Sequence, residues 1–286
     1  MDWIIQNIVK GIWGFFADLA SSLIDLAFES IVKCVIQLSD LNMIINTDRY
    51  LMYAQAIAGS LLVLTIVWKG LKNQAGYNDD TNRSIGVLGT KIIISGTAIY
   101  VLPFLVKRLV LPLNNNLVLL IQSLGTKFTE KKFMDGLSLT TNLNKLGGEM
   151  ILIFLVLAVA FVILGIQGAI RYIELVICVL MAPFSAVSIV NDGDGVQIWS
   201  REMLCIVFTQ SVHVLLLQFL LEIMKTQKGF LMGLMSIAAI VVMIKGPKVL
   251  RTFLYSTGIG SASVGAAGQA GRMAAMKRVM SSAKPV

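Results

Sequence analysis

Histidine occurs once in this 286-residue chain and cysteine three times. No pair among them has metal-ligand spacing, and Cys34, Cys178 and Cys205 each sit in apolar helical surroundings as small hydrophobes, so no metal centre is expected. Carboxylates are sparse as well, with 16 Asp and Glu in all and no cluster that would pair an acid with a base. There is no glycine-rich phosphate loop. Catalysis needs convergent acid, base and nucleophile groups, so neither an enzyme nor a cofactor site is expected. Charge of either sign makes up only 14% of the residues, against about a quarter in soluble domains. No polar stretch is long enough to build a soluble core of its own. A basic leader and a small-residue cleavage site are also lacking at Met1-Asp2-Trp3, which leaves insertion to the chain's own apolar runs.

Those runs dominate what is present. Hydrophobic residues make up 56% of the chain, and a bilayer-spanning helix needs about 20 of them in succession. The longest stretch lies between Glu149 and Asp192, interrupted only at Arg171-Tyr172-Ile173-Glu174, and it reads as two spans joined by a tight hairpin with Arg171 and Glu174 at the bend. Further spans are expected at about 50–68, at 85–106 with Lys91 inside it and Pro103 kinking its end, and at 203–221. A shorter run covers 229–244, after which Pro247 breaks the pattern. The fold class is therefore all-α, a polytopic membrane protein with about five to six spans plus amphipathic interfacial helices.

Two segments carry too many charges to span. In residues 3–38, Ile4, Ile8, Ile12, Phe15, Leu19, Leu23 and Leu26 recur at helical spacing, while Lys10, Asp18, Asp25, Glu29 and Lys33 keep to other positions. Such a helix lies on the membrane surface or docks on a neighbour, with the Ile4, Ile8, Ile12, Leu19 and Leu23 stripe buried. The segment 111–148 starts with Pro112 and Asn114-Asn115-Asn116. Its apolar positions Leu117, Leu120, Ile121, Leu124 and Phe128 oppose Lys127, Glu130, Lys131 and Lys132, again an interfacial helix plus loop. The resulting organisation is 1–45 amphipathic helix, 46–110 first pair of spans, 111–148 central loop, 149–246 second cluster of spans, and 247–286 a basic Gly/Ala-rich tail.

Polar groups inside apolar helices mark sites, because they are costly in lipid. Arg171 and Glu174 share a helical face and are candidates for an ion pair. Glu202, Thr209 and His213 form a seam with Gln210 beside them, suited to interhelical hydrogen bonds or to lining a path. Lys91 either snorkels to an interface or joins such a path. The small-residue pairs Gly165 with Ala169, and Gly229 with Gly233, permit close helix approach and suggest contacts between subunits.

The order Arg171, Ala182-Pro183-Phe184, Trp199 and Arg201, then Phe208 and Gln210 before a leucine-rich helix resembles the core of the TrbL-like polytopic subunits of type IV secretion systems. The short chain and modest tail are most similar to versions from Gram-positive conjugative elements. That resemblance implies a non-enzymatic channel or scaffold part in the bacterial cytoplasmic membrane. It implies work alongside other secretion subunits and their ATPases, association into a homo-oligomer, and transient contact with transferred DNA or its attached relaxase. None of the motif residues is implied to be catalytic.

The residues alone leave two other classes open: a small-molecule transporter or ion channel with Arg171, Glu174 and His213 around its solute, and a phage-type membrane-permeabilising protein. Orientation is also open. The basic end, with Lys245, Lys248, Arg251, Arg272, Lys277, Arg278 and Lys284, favours a cytoplasmic C-terminus. An even number of spans then puts the N-terminus inside. An odd number puts it, and the central loop with Lys127, Lys131, Lys132 and Lys145, outside.

Overall fold

The computed structural model describes residues 2–37, 39–42, 45–74, 85–125, 148–226 and 230–256. The central-loop positions 127, 128, 130–132 and 145, the turn 76–80, Gly229 and the basic tail from 257 lie outside the described residues. Within them the protein is helical, with no strand: α1 (Asp2–Ile31) ending in a π turn (Val32–Ile36), α2 (Thr47–Gln74), and α3 (Ile85–Leu105) running through a second π turn (Val106–Val110) into α4 (Leu111–Leu124). There follow α5 (Gly148–Val187) with a terminal 3-10 turn (Ser188–Asn191), α6 (Gly195–Thr226) and α7 (Phe230–Ser256). Among the described residues, five stretches are long and apolar enough to cross a membrane: Thr47–Lys72, Leu88–Leu124, Leu155–Asn191, Gly195–Thr226 and Phe230–Phe253.

The expected hairpin at Arg171–Glu174 is absent. α5 is one helix of 40 residues, about 60 Å long at 1.5 Å per residue. Arg-Tyr-Ile-Glu contains no Gly, Pro, Asn or Asp to favour a turn, and a helix through these residues keeps every backbone group bonded. Pro247 likewise does not end its helix, since α7 continues to Ser256 with the proline inside it. Pro112 and the three asparagines follow a π turn directly, so Leu111–Leu124, the described helical part of the segment expected to lie in the interface, continues the helix that begins at Ile85. With two expected spans merged into one, the count becomes five.

The chain divides into two compact units. The first comprises Met1–Ile45, Lys107–Ile177 and Ile206–Lys248. Its core joins Ile24, Ala27 and Ile31 of α1 with Val118 of α4, Leu157, Phe161 and Leu164 of α5, Leu217 and Leu220 of α6, and Met243 of α7. The second comprises Asn46–Val106, Cys178–Cys205 and Val249–Val286, with Ala58, Leu62, Ile99, Ala186 and Val190 at its centre.

Within the chain, α1 buries a stripe other than the one expected to face the membrane or a neighbour, of which the Ile4 and Ile8 side chains lie outside those described. Ala20, Ile24, Ala27, Ile31 and Val35 face the core, while Ile12, Phe15, Leu19 and Leu26 are exposed and Leu23 is half-buried. The reason is steric. α5 offers Gly165 and Gly168 to this contact, and a Cβ at Gly165 would stand 3.0 Å from Ser30 Cβ. One at Gly168 would stand 2.7 Å from Val35 Cγ2 and 3.0 Å from Cys34 Cβ. Backbones that approach so closely favour the small alanine face of α1 over its bulkier isoleucine and leucine face. The contacts advance together along both helices, so α1 and this part of α5 run in the same direction.

This packing has a direct check. Gly168→Cys is expected to form a disulfide with the native Cys34 under mild oxidation, because bridged cysteines have Cβ atoms about 3.5–4.5 Å apart and a small shift reaches that range. A reducible change in gel mobility, absent in Gly168→Ala and in Gly168→Cys/Cys34→Ser, is the expected readout.

Candidate functional site

A helix leaves its last carbonyls without intrahelical donors, and inside an apolar protein each such orphan costs roughly 1–3 kcal/mol. α1 ends within the first unit, at the π turn, and the chain leaves the helix at Gln37, whose N–H donates to Val32 O at 2.8 Å. Four carbonyls in a row, from residues 34 to 37, are then met by side chains of three other helices. Arg171 Nη2 of α5 donates to Cys34 O at 3.2 Å. Gln210 Nε2 of α6 donates to Val35 O at 3.1 Å and to Gln37 O at 2.7 Å. Gln122 Nε2 of α4 donates to Ile36 O at 3.4 Å.

Gln210 is the hub. Its amide oxygen accepts from Ser39 Oγ at 2.5 Å, Asn114 Nδ2 at 2.9 Å and Arg171 Nη1 at 3.3 Å. Asn114 is fully buried, and its own oxygen accepts from Ser211 Oγ at 2.7 Å. Asn115 pairs with the backbone of Ser39 in both directions: Ser39 N–H donates to Oδ1 at 3.1 Å and Nδ2 donates to Ser39 O at 3.4 Å. Tyr172 adds a bond from its hydroxyl to Leu41 O at 3.2 Å. Arg171, only 5% exposed, forms no ion pair with Glu174, whose side chain is exposed. Its charge rests instead on the carbonyl end of α1, where a helix macrodipole favours a cation.

The seam on α6 is resolved into separate pairs. His213, buried to 1% exposure, has Nε2 3.1 Å from Met243 O on α7. Proline has no N–H, so Pro247 leaves the carbonyl four residues before it, that of Met243, without its helical donor. His213 supplies that donor, which places its proton on Nε2, in accord with Nδ1 having no hydrogen-bond partner among the described residues. Thr209 is buried, and Glu202 pairs with Arg251 Nη2 at 3.0 Å.

In the second unit the end of α5 is met in a similar way. Ser95 Oγ donates to Ala186 O at 2.8 Å, Lys69 Nζ to Val190 O, and Lys91 Nζ pairs with the Asp192 carboxylate. Asp192 closes the helix in the left-handed region at φ 56°, a conformation that aspartate tolerates. Trp199 Nε1 donates to Cys178 O at 2.7 Å, in the turn before Pro183.

Of the residues singled out in the sequence, Arg171 and Gln210 meet directly. Ala182 and Pro183 are buried, Phe184, Arg201 and Phe208 are half-buried, and Ala169 is exposed. Gly165 takes up the chain's own α1, and Gly233 faces Ile153 of α5. Sequence reasoning missed Ser39, Asn114, Asn115, Gln122 and Ser211. Their signal was polarity within apolar runs, most visible in the three consecutive asparagines. No group of three metal-ligating side chains occurs among the described residues.

Two stability measurements in detergent follow from this geometry. Gln210→Leu strands several buried partners and is expected to cost about 2–4 kcal/mol, whereas Glu174→Gln changes stability by less than about 0.5 kcal/mol. Second, His213→Leu should cost about 1–3 kcal/mol by orphaning Met243 O. Pro247→Ala in the same chain restores a backbone donor and should recover most of that loss. Additive losses in the double variant would contradict the pairing.

A family model described as conjugal transfer protein TrbL matches residues 1–282. No curated protein and no solved structure matches the chain significantly.

Proposed function

The chain belongs to the conjugal transfer protein TrbL family, and we propose that it is the non-enzymatic membrane subunit that shapes the substrate path of a conjugative type IV secretion machine. The observation that carries this reading is the extent of the match: residues 1–282 take in the N-terminal helix and the five membrane-length helices found among the described residues. The site chemistry supports it. Arg171, Gln210 and His213 spend their hydrogen bonds on backbone carbonyls, which organises helices and leaves no convergent acid, base and nucleophile. The same commitment counts against a solute site built from Arg171, Glu174 and His213.

In this reading the protein sits in the bacterial cytoplasmic membrane and works as a homo-oligomer with closed symmetry, beside other secretion subunits and their ATPases. Contact with DNA or its relaxase is transient and occurs during transfer. Lys245, Lys248 and Arg251 near the end of α7 assign that end to the cytoplasm.

Deletion of the gene from a donor element, with complementation in trans, tests the role. Transfer is expected to fall to the level of a donor lacking the element's secretion ATPase, while relaxase nicking at the transfer origin continues. Complementation with the wild-type gene restores transfer. Unchanged transfer, or loss of nicking, overturns the proposal.

A further inference from the structure

Within the first unit, α1 lies at the same level as helices whose outer surfaces are apolar. Its Ala27, Ser30 and Cys34 pack on the Gly165–Arg171 stretch of α5. That stretch closes the charge-free run 150–170, which exposes Val156, Val159, Ile163, Ile166 and Ile170. α7 is held to the same part of α5 by the contact of Gly233 with Ile153, and it exposes Leu231, Leu234, Val241 and Val242. α6 exposes Leu215 and Phe219. Exposed apolar residues on three helices of this unit suit a lipid-facing surface.

α1 departs from that pattern. Its exposed side carries Asp18, Asp25, Glu29 and Lys33, and steps of seven, four and four residues set them along one helical edge. Only Glu29 and Lys33 neutralise each other, at 2.7 Å; Asp18 and Asp25 have no ion-pair partner among the described residues. Beside this edge runs the separate exposed apolar stripe Ile12, Phe15, Leu19 and Leu26. A carboxylate facing lipid at this depth costs several kcal/mol, and ionisable residues within membrane segments face water or protein instead.

We propose that the Asp18–Asp25–Glu29 edge of α1 borders water at hydrocarbon depth, forming one wall of an aqueous path, while the Leu19–Leu26 stripe faces lipid. This deepens the transfer-path reading and depends on it only for what moves along the wall. The wall is net acidic, so a cationic or neutral stretch of cargo passes it more easily than bare phosphate backbone.

Single cysteines at positions 18, 25, 19 and 26, introduced as Asp18→Cys, Asp25→Cys, Leu19→Cys and Leu26→Cys with Cys34, Cys178 and Cys205 replaced by serine, test this in intact donor membranes. A membrane-impermeant thiosulfonate should modify the two aspartate sites about tenfold or more faster than the two leucine sites, because thiols react through their water-exposed thiolate. Equal rates at all four, or protection of both aspartate sites as a covering partner helix would give, overturn the proposal. Depth is read separately, from quenching by lipids labelled along their acyl chains of a fluorophore on the Leu19 and Leu26 sites. Seven residues of a helix running beside α5 should separate the two depths by up to about 10 Å. Equal depths mean a helix flat on the surface and also overturn it. Modification of Asp25→Cys should lower transfer several-fold. If the site is modified and transfer is unchanged, the water contact stands and the transfer-path reading fails.

Discussion

A helix that ends inside an apolar protein must find donors for its last carbonyls, and much of the polar chemistry in this molecule answers that requirement. In water the solvent would supply them. Here Arg171, Gln210 and Gln122 do, each from a different helix, and so α1 is fastened to α4, α5 and α6 at one point. The bonds are directional and costly to leave unmade, whereas the apolar contacts around them tolerate sliding. Register among the four helices is therefore set by the amide of Gln210 more than by any leucine.

The same requirement explains two features that otherwise look like defects. A proline within α7 would be expected to end it, and a buried histidine in an apolar helix would be expected to mark a site of chemistry. Together they cancel: Pro247 frees the carbonyl of Met243 and His213 bonds it. In the second unit, Lys69, Lys91 and Ser95 serve the end of α5. Cations near a helix C-terminus also gain from its partial negative charge, which helps to accommodate Arg171 and Lys69.

Small residues make these ends reachable. Gly165 and Gly168 bring α1 so close to α5 that any Cβ would crowd Ser30, Cys34 or Val35, and this closeness carries Cys34 O within reach of Arg171. It also selects which face of α1 is buried. The alanine-bearing face fits; the larger apolar face and the charged edge are left outward, which gives α1 an outer surface unlike that of its neighbours.

The all-helical class and the membrane-length helices were legible in the sequence, because apolar run length is a local property that depends on no partner. So was the family, since the order of Arg171, Pro183, Trp199 and Gln210 is itself a sequence property. The continuity of α5 through Arg171–Glu174 was not, because a charged pair between apolar runs suits a turn or a helix equally until a partner for the arginine is known. The buried face of α1 was equally hidden: both of its apolar stripes have helical period, and only the shape of α5 chooses between them. The role of His213 depended on a carbonyl 30 residues away. Composition and period fixed which segments are helices in a membrane, while the donors for each buried carbonyl were decided by the tertiary structure, because hydrogen bonds between helices pair residues that no local pattern relates.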